Sequence, residues 1–310
     1  MRQTALNTVF ELAKRDPRIL FIGSDLGTNT LEAMRNELPN QFMMEGISEQ
    51  HIIGFAAGLA KEGFIPFVNT IANFFSRRAL EQITLDVALH NLPVKILASG
   101  GGMVYAPLGP THTATDDLAH LLAIPNINIF SPCDARQMRQ VIEAEVSSSA
   151  PAYIRFGKGG EQIVSEQFRT ENKDSISLFG EINAGNVIIT TGVTLQPALA
   201  AVTDILSDDE VLLAHFTKLN LEYSELIDNL MTNRRVVLVV EEHQEYGGLL
   251  TQLLHYCHKY SLSSSNIRSI SLGRGFIRHY GTQLDHFQNF GITPESIADE
   301  LRSAPNVARD

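Results

Sequence analysis

The stretch M-M-E-G-I-S-E-Q-H-I-I-G-F-A-A-G-L-A, Met43 to Ala60, sets one acidic side chain, Glu49, among apolar neighbours at the head of a helical pattern. Ser48 stands before it as an N-cap residue. Ile52, Ile53, Phe55, Ala56 and Leu59 follow at the mixed three- and four-residue spacings that lay an apolar stripe on a helix. The spacing predicts a buried helix over 48–61. Glycines 54 and 58 lie four apart on it, and their missing side chains allow another backbone, chain or flat ligand to approach.

Working outward, residues 3–14 read as a helix and R-I-L-F-I-G, 18–23, as a buried strand. Downstream, 65–70 reads as a strand, 74–90 as an amphipathic helix and 93–99 as a strand. A helix over 114–123, a strand over 127–130, a helix over 134–147 and a last strand, A-Y-I-R-F at 152–156, complete the run. Such alternation predicts a doubly wound α/β unit with a parallel sheet covered on both faces. Residues 157–185 lose periodicity and gain Gly, Ser and charge. A linker is therefore expected over 161–185, between a domain of 1–160 and a second of 186–310. In the second, N-V-I-I-T-T-G, V-L-L-A-H-F and R-V-V-L-V-V-E-E read as strands, with helices near 195–206, 222–231, 247–259 and 294–302. The fold class is thus α/β, two doubly wound units of mostly parallel strands.

The chain has 310 residues, 44% hydrophobic and 19% charged, enough to bury the cores of two domains. A net charge of -11 with scattered Lys and Arg argues against a nucleic-acid surface. The partners expected are small molecules or protein. Cys133 and Cys257 are too few for a disulfide framework and are not spaced as metal ligands, which suggests a reducing compartment. No signal peptide opens the chain, and no apolar run approaches the roughly 18 residues that cross a bilayer. A cytoplasmic location is expected, with no membrane partner.

Taken alone, the candidate residues admit two readings each. Glu49 is either a first-turn acid complementing the helix dipole or a carboxyl set in apolar surroundings to hold a proton near neutral pH. Asp25, in F-I-G-S-D-L-G, ends a strand of the sheet, where ligand-binding groups gather, or simply forms a turn. Phe74 offers an apolar face for stacking or is plain core. His112, in G-P-T-H-T-A-T-D-D, is a proton carrier or a cap. Arg2 and Arg155 offer guanidinium forks for a phosphate or are solvated surface groups.

The run M-E-G-I-S-E-Q-H-I-I-G-F-A-A-G-L-A, then G-F-I-P-F-V-N-T-I-A-N-F-F-S-R-R-A-L-E-Q-I and then G-P-T-H resemble the pyrimidine-binding domain of the thiamine-diphosphate-dependent transketolase family. The order and spacing match over about half the chain. E-E-H-Q-E-Y-G-G-L, 241–249, is similar to the C-terminal domain of that family. The resemblance implies that Glu49 shares a proton with the aminopyrimidine ring of thiamine diphosphate, that Asp25 lies near the cofactor and that Phe74 covers the ring. Where the family usually has a second aromatic, this chain has Ile71, an aliphatic side chain able to cover a ring. By the same resemblance His112 polarises the substrate and moves its proton, and Arg2 and Arg155 hold a sugar phosphate.

The departures are specific. Sugar-phosphate transketolases carry a His near Gly100 and an Asp near Leu108, which suggests an altered substrate here. The chain contains no G-D-G motif, the family's mark of the module that holds the diphosphate through Mg²⁺. The Mg²⁺ ligands are therefore expected on a partner, and none is assigned to this chain. The resemblance implies the C-terminal subunit of a split transketolase, transferring a two-carbon ketol unit from a ketose to an aldehyde. An N-terminal diphosphate-binding subunit should complete it, with two copies of each chain in a heterotetramer. A β subunit of a 2-oxoacid dehydrogenase, or a non-catalytic α/β regulatory subunit, are the alternatives.

Overall fold

The structure is a computed structural model that describes residues 1–24, 31–171 and 175–303. Its first half is a six-stranded sheet in the order β2-β1-β3-β4-β6-β5, built from β1 (Ile19–Gly23), β2 (Phe42–Met44), β3 (Ile65–Ile71), β4 (Lys95–Ser99), β5 (Asn128–Phe130) and β6 (Ala152–Phe156). Every neighbouring pair runs parallel. Strands buried on both faces need near-continuous apolar runs, and I-L-F-I-G and K-I-L-A-S are buried throughout. Helix α1 (Arg2–Ala13) covers one face, where Leu6, Phe21, Phe67, Leu97 and Ile154 pack in one cluster. Connections leave β1 and β3 in opposite senses, so a crevice opens between their C-terminal ends.

The second half is also six-stranded, in the order β12-β11-β9-β10-β8-β7. Its parallel centre is β9 (Asn186–Thr190), β10 (Val211–Phe216), β11 (Val236–Val240) and β12 (Ile267–Ile270). The segment read as a linker, 161–185, carries β7 (Arg169–Glu171) and β8 (Ile176–Phe179), which extend this sheet antiparallel. The unpatterned stretch is thus partly strand, legible only once β10 supplies its pairing edge.

One apolar cluster runs through both halves, from Ile52, Val68 and Ile96 to Val187, Phe216 and Val237. Backbone bonds stitch them together as well: Ser131 N–H donates to Thr217 O at 2.8 Å and Leu219 N–H to Ile129 O at 2.9 Å.

Helix α2 (Glu49–Lys61) forms where the apolar stripe predicts it, with Ile52, Ile53, Ala56 and Ala60 buried. Ser48 occupies the N-cap but makes no side-chain cap bond; its hydroxyl donates instead to Glu45 O at 2.9 Å. The helix expected over 74–90 starts earlier, as α3 (Ala72–Arg78), and breaks at Ala79. It resumes over 80–88, the last six residues wound as a π-helix. The helix expected over 114–123 is shorter, α4 (Asp117–Leu122). Of the two helix glycines, Gly54 faces the Asp86 carboxylate, and Gly58 has nothing within 4 Å of where its Cβ would be.

Candidate active site

Glu49 is the first residue of α2, reached directly from β2, and it lies at the crevice side of the first sheet with 1% of its surface exposed. Arg78, at the end of α3, donates from Nη1 to Glu49 Oε2 at 2.6 Å. Glu49 Oε1 is buried and has no hydrogen-bond partner among the described residues. Buried carboxylate oxygens are normally satisfied, so a free one marks a place where a donor is wanted.

Arg78 follows Phe74 by one helical turn, and its guanidinium lies 4.6 Å from the centroid of the Phe74 ring. Phe74 in turn meets the imidazole of His112 edge-on, with centroids 5.3 Å apart. His112 Nδ1 is 2.9 Å from Thr111 Oγ1. Two further ties fix this loop against α3. Asn73 Nδ2 donates to Thr111 O at 2.6 Å, and Arg77 grips the Asp116 carboxylate through both oxygens. Glu49, Arg78, Phe74 and His112 therefore form one connected row.

Ile71 ends β3 beside this row and is buried. Ser24 and Thr70 bridge the ends of β1 and β3 through their hydroxyls at 2.8 Å. Asp25 lies outside the described residues. Arg2 opens α1 and is half-buried.

Arg155 is 4% exposed, and Nε donates to both oxygens of Asp117, at 3.2 and 2.9 Å, while Nη2 donates to Ala114 O and Glu242 O. Asp117 also accepts from Tyr153 Oη at 2.8 Å. Through Nε and Nη2 Arg155 clasps β6, α4 and the second sheet, a use that its identity in the sequence does not announce.

The glycine run S-G-G-G has a steric reason. A Cβ on Gly100, which sits at φ +77°, would collide with the Tyr105 ring; one on Gly101 would meet Arg155, and one on Gly102, at φ +64°, would meet the Glu242 carboxyl. The space over Gly100 is thus filled by Tyr105, whose hydroxyl is 3.3 Å from Ser99 Oγ. Arg78, Tyr105, Asp117 and Glu242 are not singled out by the sequence. Arg78 carries a signal there in its one-turn spacing from Phe74, and Glu242 lies within the E-E-H-Q-E-Y-G-G-L run.

The first half is thus a doubly wound α/β domain that sets a carboxyl, an aromatic ring and an imidazole in one row. Residues 1–160 match the pyrimidine binding domain of transketolase. The chain belongs to the transketolase family. One subunit of the apulose-4-phosphate transketolase of Phocaeicola vulgatus is 31% identical over 303 residues, covering 96% of this chain and 94% of that protein. The 1-deoxy-D-xylulose-5-phosphate synthase of Syntrophus aciditrophicus is 32% identical over 98% of this chain but 47% of its own length. The chain thus spans about half the length of that synthase. A split-gene transketolase, solved as an inactive β4 tetramer, superposes with a TM-score of 0.86 over 99% of both chains at 26% identity. The Campylobacter jejuni transketolase shares the fold, with a TM-score of 0.81 at 18% identity over 97% of this chain and 46% of its own. Among the described residues, no helix is long and apolar enough to cross a membrane.

Proposed function

We propose that this chain is the C-terminal subunit of a split transketolase, a transferase of aldehyde or ketone groups. It moves a two-carbon ketol unit from a ketose to an aldehyde when a diphosphate-binding partner subunit completes the site. The observation that carries this reading is Glu49, buried at the head of α2 with Oε1 unpartnered and Phe74 and His112 in the same row. That unpartnered oxygen could share a proton with the ring nitrogen of thiamine diphosphate. Glu49 would hold the pyrimidine through Oε1, with Ile71 and Phe74 against the ring and Asp25 nearby. Mg²⁺ and the diphosphate would be held by the partner.

When bound, the cofactor supplies the nucleophilic carbon that the protein itself lacks. Glu49 would share a proton with the bound ring at Oε1. Arg78 holds the other oxygen still. His112, tied through Thr111 and Asn73, moves a proton at the reacting oxygens of the substrate. Arg2 remains a candidate for a sugar phosphate. Similarity to one subunit of a transketolase along nearly its whole length, and to a split-gene transketolase, supports the two-chain form. A second reading, with a two-carbon donor other than a sugar phosphate, is favoured by Tyr105 over Gly100 and by Leu108, 53% exposed, in place of an acid.

Calorimetry of thiamine diphosphate with the chain, with and without its partner, tests the proposal. Binding should be weak for the chain alone and become tight and Mg²⁺-dependent in the complex. Glu49→Gln should cut ketol transfer at least about 10²–10⁴-fold, the range for loss of one proton-transfer group. Tight Mg²⁺-dependent binding by the chain alone, or near wild-type transfer by Glu49→Gln, would overturn it.

A further inference from the structure

The second sheet has its own crevice, because connections leave β9 and β11 in opposite senses. Such crevices are where α/β sheets bind ligands. Here the first half of the chain fills it. Glu242, just past the end of β11, is 3% exposed, and its Oε1 accepts from Met103 N–H at 2.8 Å and from Gln283 Nε2 at 2.7 Å. Its carboxyl lies flat against Gly102, in space that any larger residue there would need.

Gly102 and Ala114 are paired through two backbone bonds of 2.9 Å, which close residues 103–113 into a loop with a narrow neck. His112 hangs two residues from that neck. Arg155 holds the Ala114 side of it, through Nη2 to Ala114 O at 3.1 Å, and Glu242 holds the Gly102 side. At the far end, Tyr280 of the second half packs over Gly109, 2.9 Å from where a Cβ would be.

From this geometry we infer that Glu242 is a positioning residue, which fixes the neck of the 103–113 loop and thereby the place of His112. The inference rests on the reading of His112 given above. The second half of the chain reaches the loop also through Tyr280 and through Gln244 N–H, which donates to Thr115 O at 2.8 Å, but it is the Glu242 carboxyl that holds the neck on the Gly102 side. Burial raises the Glu242 carboxyl to about 7, so near neutrality the tether works as a hydrogen-bond acceptor more than as a charge.

Three variants separate the possibilities: E242Q keeps an acceptor oxygen at full reach, E242D keeps the charge but is one methylene shorter, and E242A removes both. Hydrogen exchange measured by mass spectrometry on the full chain reads the loop directly, without partner or cofactor. Exchange over 100–114 should rise about tenfold or more in E242D and E242A, stay within about twofold of wild type in E242Q, and leave β9 and β11 protected. In the complex with the partner, kcat should fall about 10- to 100-fold in E242D and E242A with KM little changed, and E242Q should recover most of it.

Loop protection unchanged in E242A, or lost equally over β9 and β11, would overturn the inference. So would an E242D that behaves as wild type while E242Q does not, since charge rather than reach would then matter. Should E242A fail to fold, the E242D and E242Q pair carries the test. A loosened loop with unchanged kcat would leave the tether standing and refute the role given to His112.

Discussion

Arg78 serves two groups with one guanidinium, donating to Glu49 Oε2 at 2.6 Å and lying 4.6 Å from the centre of the Phe74 ring. Glu49 is almost wholly enclosed and Arg78 about half exposed, so the pair is one-sidedly buried. Removing the guanidinium leaves a carboxylate with neither oxygen satisfied. Arg78→Ala should therefore destabilise the isolated chain by about 1–3 kcal/mol in urea unfolding, with Arg78→Lys recovering part of the loss. An alanine variant with the wild-type midpoint would show that the pair contributes nothing.

Tyr105 and Gly100 offer a second test. At φ +77° a side chain at 100 is strained whatever the space, and the Tyr105 ring removes the space as well. Gly100→Ala should cost about 2 kcal/mol or more, and Tyr105→Ala in the same chain should relieve only the collision. A double-mutant cycle should give a coupling of about 0.5–3 kcal/mol. Strictly additive losses would mean that the ring does not guard this position.

The pH response is set partly by a histidine far from the site. His215 is buried, with Nδ1 3.2 Å from Thr190 Oγ1 and Nε2 3.1 Å from Gln137 Oε1, and burial drives it down to about 3. Below its ordinary value of 6.5 the unfolded chain takes up a proton that the folded chain refuses. Its contribution is complete above 6.5 and declines as pH falls towards 3, by at most about 1.4 kcal/mol per unit. His243, lowered to about 4, acts in the same direction. Glu241 and Glu242, raised to about 7, act oppositely: their contribution is complete below 4.5 and is lost as pH rises to about 7. The gap in stability between wild type and His215→Gln isolates the one group. It should be constant above pH 6.5 and narrow steadily below it; a gap flat down to pH 4.5 in urea titrations would contradict this.

Gly58 is exposed on α2 with no neighbour, and Ile47, Leu85 and Leu89 on adjoining segments are 68%, 48% and 68% exposed. If this face joins two copies in the assembled enzyme, Gly58→Asp should leave the single chain folded and split the complex, abolishing activity with it. Light scattering that finds the variant fully assembled, or a monomer of this chain in the active complex, would place the contact elsewhere.

Most of the parallel core is legible in the sequence because its strands are buried on both faces and read as unbroken apolar runs. Phe42–Met44 and Arg169–Glu171 are not, since three residues give no period, and Ile267–Ile270 is a partly exposed edge. Local pattern and the family resemblance together pick out Glu49, Phe74, Ile71 and His112, and the structure brings Glu49, Phe74 and His112 into one row through Arg78, with Ile71 at the end of β3. Arg155 shows where that reasoning stops. Its identity suggests a ligand for phosphate, but its partner is decided by Asp117, which only tertiary folding delivers. The S-G-G-G run shows in the sequence only as the lack of a family histidine near Gly100, and its packing under Tyr105, Arg155 and Glu242 appears only in the fold.

The paired Gly102 and Ala114 set residues 103–113 apart as a loop. Its two ends leave the scaffold side by side, yet the loop is no free insert: Met103 and Ala106 are buried in the core of the second half and Tyr105 covers Gly100, so its outer residues alone can vary without disturbing the sheet beneath.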